Sequence, residues 1–466
     1  MRLTRLPYRA DSAELFEAIA DEPWSVFLDS GHPSAGVGAR VGRFDILAAR
    51  PFITLVTRGG ITEIGRAGVV ERSSADPFDL LRRHLAVDTD PAHSDLHFTG
   101  GAIGYFGYDL ARRIETLPEQ PALDTDVPEM AVGIHDWAVV VDHAECASWL
   151  VGAERDGATA ADWDALVALF SADAVGAAPR RPPFRAGAVS CNLTPEAYRQ
   201  AFSRIQRYIH AGDCYQVNLA LRFTAHVLGD RWLGYRALRK INPAPYAAYL
   251  NQPDVQVMSS SPERFLEVRG GRVTTQPIKG TRPRASAPAA DAALVRELQA
   301  SAKDRAENLM IVDLLRNDLG KVCLPGTVDV PRLFEIESFT SVHHLVSTVT
   351  GRLAPGCDAV GLLRAAFPGG SITGAPKLRA MQIIAELEPH RRGVYCGAIG
   401  WLGFNGDMDS NIAIRTGVCS RDTVHFWAGG GIVADSDADA EYQECFDKAA
   451  ALLRWLRAAN SVEDRD

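Results

Sequence analysis

Hydrophobic and polar positions alternate with a period of two from Arg43 to about Val70, as in "RFDILAAR" and "FITLVT", with Gly59-Gly60 between runs. This pattern predicts antiparallel strands and hairpins. A second strand signal lies in "MAVGIHDWAVVVDH", and further ones at 246–250, 255–259, 264–268 and 394–404. Helical spacing takes over after Thr194-Pro195-Glu196, where an N-cap hydroxyl, a proline at the first helical position and an acid in the first turn open a helix. Tyr198, Phe202, Ile205 and Ile209 give it one buried face, and Gly212 ends it. Helices are also expected at 291–317, 375–388 and 438–458. No period of 20 to 50 residues is visible, which argues against a solenoid or propeller. Strands with few alternating βαβ units predict an α+β fold with antiparallel sheets.

Residues 171–187, "SADAVGAAPRRPPFRAG", are rich in Ala, Pro and Arg and read as an exposed connector. The expected organisation is therefore a strand-rich part over 1–187, a second part over 188–460 and a tail over 461–466. The 466 residues are 47% hydrophobic and 23% charged, enough for one large domain or two intimate ones. A formal net charge of -9 gives no electrostatic reason to expect nucleic acid or an anionic membrane as partner, though a small anionic substrate stays open. The N-terminus lacks the apolar core of a secretory signal, and no apolar run is long enough to cross a bilayer. The eight scattered cysteines form no C-x-x-C pair and read as reduced thiols of a cytoplasmic protein.

Several polar groups could carry chemistry. Asp304 and Glu307 are three residues apart in one predicted helix, and Glu441 and Glu444 repeat that spacing in another, with Lys448 four further on. Each pair shares a helix face. Either could be a solvated acidic face. If the two faces met inside the protein, the four carboxylates would resist ionisation without a cation, and oxygen-only ligation points to Mg²⁺. "FPGGSITGAPK" (367–377) and "WAGGGIV" (427–433) offer backbone N–H groups to an anion, or are simply tight turns or bulges. Arg415 in "SNIAIRT" sits among apolar neighbours and needs an anion, from a ligand or an internal pair. Tyr395 and His344 occupy strand contexts compatible with core or site. Lys279, in "TTQPIKGTRPR", is a solvated loop lysine unless it is desolvated or lies near other positive charge, which would leave it a free amine. Glu263, in "SSSPERF", is a turn carboxylate or a general acid.

Taken in order, "SSSPERF", "QPIKGTRPR", "KDRAENLMIVDLLRNDLG", "VHHLVSTV", "FPGGSITGAPK", "RGVYCGAIGW", "NIAIRT" and "AGGGIVADSD" with "EYQEC" resemble the chorismate-utilising enzymes, densely over about 190–460. "PWSVFLDSG" and "GRFDILAARP" match more sparsely. The family includes anthranilate synthase component I, isochorismate and salicylate synthases, and aminodeoxychorismate synthase component I. Lysine in P-I-K-G-T, where anthranilate synthases carry alanine, marks the aminodeoxychorismate branch, and "GDCYQVNLA" is similar to that branch too.

The resemblance implies large antiparallel sheets packed as a sandwich with helices outside. It implies Mg²⁺ held by Glu307 and Glu444, with Asp304 and Glu441 reaching it through water. Arg415 and Tyr395 would hold the pyruvyl carboxylate, and Gly429, Gly431, Thr281, His344 and Lys448 would bind substrate. Lys279 would be the nucleophile at C2 and Glu263 the acid that protonates the departing C4 hydroxyl. Ammonia would come from a separate glutamine amidotransferase subunit in a heterodimer, because no cysteine here sits in a G-x-C-x-G elbow. No room remains after 460 for a lyase, so the expected product is 4-amino-4-deoxychorismate, on the route to p-aminobenzoate and folate. Ser30 and Tyr246 would share a tryptophan pocket. The rival expectations are anthranilate synthase component I and, in another class, a regulatory binding protein that has lost catalysis.

Overall fold

The structure is a computed structural model, and it describes residues 1–32, 42–87, 96–119, 125–171, 181–339 and 342–460. The expected tail, 461–466, and residues 172–180 of the expected connector lie outside this set.

Among the described residues, the strands form two large sheets in which every pairing is antiparallel. The middle of the first sheet runs Ser25–Asp29, Tyr246–Asn251, Val255–Ser261, Thr416–Ser420, Thr423–Ile432, Gln216–Leu228. The middle of the second runs Val342–Arg352, Arg272–Thr275, Arg264–Arg269, Met408–Ile412, Ala398–Gly403, Gly101–Phe106. Strands from both sides of residue 187 are thus interleaved in each sheet.

Successive side chains on a strand point to opposite faces, and here both faces are covered. On Ala398–Gly403, Ile399 and Trp401 enter a core shared with Val26, Leu250 and Val257 of the first sheet, while Ala398 and Leu402 pack on the other side. Burial of each such large side chain contributes about 1.5–3 kcal/mol. Double coverage also explains why "MAVGIH" and "WAVVVD" are buried throughout. The outer face of the first sheet is covered by helices Pro195–His210, Arg231–Ile241, Lys377–Leu387 and Ala438–Asn460. The second is covered by Pro77–Leu85, Ala302–Gly320 and Ala359–Ala366. The result is the sandwich with external helices that the family resemblance implied.

Local signals mostly held. Thr194 Oγ1 accepts from Ala197 N at 3.2 Å, Pro195 opens the helix, and Gly212 follows it at φ +82°. The helix expected over 291–317 is two helices, Pro288–Ala300 and Ala302–Gly320. Ser301 between them is extended, and its hydroxyl caps the second by accepting from Asp304 N. The strand expected from 394 begins at Ala398, because Val394–Gly397 turn, with Cys396 at φ +65°. The C-terminal end of the expected connector is exposed only in part. Phe184 is buried and stacks on Trp455 at 5.3 Å, and Arg185–Ala186 pair with Val227 and Leu228.

Candidate active site

Two chain crossings between the sheets create the site. The chain leaves the first sheet after Ser261 and enters the second at Arg264, and it returns between Ile412 and Thr416. Glu263 and Arg415 sit in these crossings, where the sheet ladder cannot satisfy polar groups. The crossings are stitched together: Ser261 Oγ donates to Ile412 O at 2.6 Å, and Ile412 N to Glu263 O at 3.0 Å. Arg415 has φ +50°, a strained choice for a residue with a Cβ. Its guanidinium makes no ion pair or hydrogen bond to protein among the described residues, and burial lowers its pKa. An under-partnered, partly buried arginine is a ready anion receptor.

Lys279 lies at a bulge. Strand Ile278–Pro283 slips its register against Val342–Arg352 between Ile278 and Thr281, and Gly280 takes φ +82°. A Cβ on Gly280 would lie 2.9 Å from Asp304 Cβ and Leu298 Cδ1, so glycine is required there. The bulge aims the lysine inward, where Nζ donates to Ser371 O at 3.2 Å. Burial pushes the Lys279 pKa down. Glu307, Glu263 and Glu444 oppose this, and Lys448 reinforces it. Burial pushes Glu263 up, against a hydrogen bond from the Ser371 hydroxyl and the charge of Lys279. The two shifts favour a free amine beside a protonated acid, the pair of states that nucleophilic attack with leaving-group protonation needs.

Thr281 Oγ1 and His344 Nδ1 are 2.8 Å apart. Burial, then the nearby Arg415 charge, holds His344 down to about 3, so it is a neutral hydrogen-bonding group. Tyr395 is buried and stacks on Trp427 with ring centroids 6.0 Å apart. The ladder of Thr423–Ile432 with Thr416–Ser420 reaches Phe426, so Gly429–Gly431 pair on one side, with Ala220, Leu219 and Asn218. A Cβ on Gly431 would lie 1.8 Å from Gln216 Nε2, and one on Gly430 2.7 Å from Glu441 Oε2. The glycines clear the space in front of the acidic helix.

On that helix Lys448 Nζ donates to Glu444 Oε1 at 2.6 Å and to Gly429 O at 3.0 Å. Ser436 Oγ donates to Glu441 Oε1 at 2.7 Å, while Glu441 Oε2 is buried without a hydrogen-bond partner among the described residues. Burial raises Glu441 and Glu307. It would raise Glu444 too, but Lys448 outweighs it and holds that carboxyl low. Asp304 accepts from Arg282 at 3.2 Å. No three of these carboxylates form a ready-made ligand group among the described residues. An orphaned carboxylate oxygen opposite a glycine, with two carboxyls raised by burial, nevertheless fits a hard cation. Glu307, Glu441 and Glu444 would be the donors, with Glu444 also paired to Lys448 and Asp304 taken up by Arg282.

The expected site residues fall in two places. Ser30 and Tyr246 line a separate cavity of about 750 Å³, with Phe44, Trp401, Arg264 and Arg269 on its walls. Ser30 donates through both N and Oγ to Asp45 Oδ1, at 2.7 and 2.6 Å. Sequence reasoning quoted Ser371 but gave it no role. A hydroxyl residue inside a glycine-rich loop was the available signal.

Residues 49–454 match the chorismate binding enzyme family, and the chain belongs to it. It is 48% identical to aminodeoxychorismate synthase component 1 of Klebsiella aerogenes, over 97% of this chain and 98% of that one. It is 46% identical to the protein of the same name from Escherichia coli, over 97% of each. Among solved structures, anthranilate synthase component I from Streptococcus pneumoniae superposes with a TM-score of 0.78 at 35% identity, covering 88% of this chain and 91% of that one.

Proposed function

We propose that this chain is the chorismate-aminating component of an aminodeoxychorismate synthase, forming 4-amino-4-deoxychorismate from chorismate and ammonia. The observation that carries the reading is Lys279: a desolvated amine, aimed by a bulge, next to a carboxyl whose pKa burial pushes up. Its relatives at 46–48% identity are named for that activity, and as component 1 they imply a second component. That component is the proposed glutaminase and ammonia source.

Arg415, otherwise under-partnered, and Tyr395 hold the pyruvyl carboxylate. Thr281, oriented by neutral His344, and the unpaired edge at Gly429–Gly431 position the ring. Glu307, Glu441 and Glu444 would hold Mg²⁺, which when bound supplies positive charge to a substrate carboxylate. Lys279 Nζ attacks C2, both conjugated ring double bonds shift toward C4, and the C4 oxygen leaves as water after taking the proton of Glu263. Ammonia then adds at C4, both double bonds shift back, the C2–Nζ bond breaks to return the free amine, and the extra proton on the new C4 nitrogen returns to the Glu263 carboxylate. Each half is an allylic displacement that avoids expelling hydroxide.

The test is a product assay by mass spectrometry on the purified chain with chorismate, Mg²⁺ and ammonium. 4-Amino-4-deoxychorismate that collapses in Lys279→Ala supports the reading. Anthranilate and pyruvate from wild type would move the chain to the neighbouring branch, and no product under any condition would leave a binding protein.

A further inference from the structure

Outside the residues that face substrate lies a buried ion pair that the chemistry does not use. Arg392, 1% exposed, follows Glu388 by four residues across Pro389, His390 and Arg391, just past helix Lys377–Leu387. Arg392 Nε donates to Glu388 Oε2 at 2.9 Å and its NH2 group to Oε1 at 2.7 Å, a two-pronged contact. The remaining donors leave the pair. NH1 reaches Ile372 O at 2.9 Å, and NH2 reaches Asn218 O at 3.1 Å and Asn218 Oδ1 at 3.3 Å. Glu388 Oε1 also accepts from Ala220 N at 2.9 Å. The guanidinium lies over the rings of Tyr108 and Tyr395, and Arg392 O accepts from Tyr395 N.

Each partner is one step from the site. Ile372 adjoins Ser371, whose carbonyl accepts from Lys279 Nζ and whose hydroxyl serves Glu263. Asn218 and Ala220 are the register partners of Gly431 and Gly429, and Asn218 N donates to Thr373 O in the same loop. Tyr395 is a substrate-facing ring in the proposed reaction. Arg392 touches neither Lys279 nor Glu263 itself.

We infer that the Glu388–Arg392 pair is a positioning device for the amination site, setting the Ser371 loop against the glycine strand so that Lys279 and Glu263 stand in reacting geometry. A buried pair is a poor source of stability compared with packed apolar side chains, so holding four segments in one arrangement is the role its geometry explains. The inference rests on the proposed function for its kinetic half and on geometry alone for the other.

The experiment compares wild type with Arg392→Met/Glu388→Leu, which removes both charges together, and with Arg392→Lys. Two readouts are taken: steady-state kinetics with ammonium, and the rate at which trinitrobenzenesulfonate labels individual lysines. In the double variant kcat falls by about 10²-fold, the cost of a misplacement of roughly 1 Å, with KM nearly unchanged. Labelling of Lys279 accelerates while that of Lys377, held by Asp318 and Ala366 O rather than through Arg392, does not. Arg392→Lys, keeping the charge but not the fork, falls between. Wild-type kcat and Lys279 labelling in a folded double variant overturn the inference, as does equal acceleration at both lysines, which is general loosening. If the double variant does not fold, wild-type values in Arg392→Lys overturn it. Absence of aminated product from wild type defeats the proposed function instead, and the labelling comparison still decides the geometric half.

Discussion

The catalytic end and the N-terminal cavity both bury charge, but they satisfy it differently. Around Ser30, Asp45 accepts from Ser30 N, Ser30 Oγ and His143, and Asp29 accepts from Gly31 N, Tyr235 OH and Arg239. Around Lys279, among the described residues, the amine has one protein acceptor, Arg415 has no ion pair, and Glu441 Oε2 has no donor. Burial without partners costs stability, and it persists where a ligand supplies the missing half. The contrast separates polar groups that hold the fold from those held open for chemistry.

Removing a group from each region should therefore give opposite signatures. Lys279→Ala is expected to lower amination by roughly 10⁴-fold or more, the loss seen when a nucleophilic set loses its central member. Its melting temperature should be unchanged or higher, because a desolvated amine is gone. Glu263→Gln should cost about 10²–10⁴-fold in kcat, again without loss of stability. If either variant unfolds more readily than wild type, the catalytic end is not under-satisfied and the contrast fails. In the other region, Arg239→Met strands Asp29, 0% exposed at its side chain, and should cost about 3–5 kcal/mol in urea unfolding. The folded fraction should retain its kcat.

This division was only half legible in the sequence. Lys279, Glu263 and Arg415 were singled out because a charged residue inside an apolar or turn pattern stands out locally. The helix after Thr194 was readable for the same reason, since its cap, proline and periodicity lie within a few turns. The long strand Gln216–Leu228 was missed. It is buried on both faces over most of its length, so it lacks the alternation that marks a half-exposed strand. Glu388 and Arg392 were missed because their i, i+4 spacing resembles any surface pair, and only the fold places Ile372 and Asn218 beside them. The convergence of Asp304 with the other carboxylates was implied by the family resemblance, yet Arg282, distant from that pattern, holds it.

A finer separation comes from acid. Burial and Arg415 hold His344 at about 3 in the folded protein, against an unfolded value near 6.5. Between those values the unfolded chain binds a proton that the folded site refuses, so stability falls as pH falls through this window. Burial alone would raise Asp45, but hydrogen bonds from His143, Ser12 and Ser30 hold it below the ordinary carboxylate range. Its contribution is therefore intact down to about pH 4 and lost only below that, as its folded pKa is approached. Ser30→Ala should lower stability by about 1.5–3 kcal/mol, evenly across pH 5–8, since it removes a hydrogen bond to a carboxylate that stays ionised. His344→Asn keeps a polar partner for Thr281 but no titrating ring. It should flatten the loss between pH 6.5 and 4 by up to one proton, about 1.4 kcal/mol per pH unit. Urea midpoints at half-unit steps would read both. A His344→Asn profile parallel to wild type would mean that His344 takes up its proton in the fold. Arg415 would then share its corner of the site with a second cation, and the proposed carboxylate of the substrate would face two positive charges instead of one.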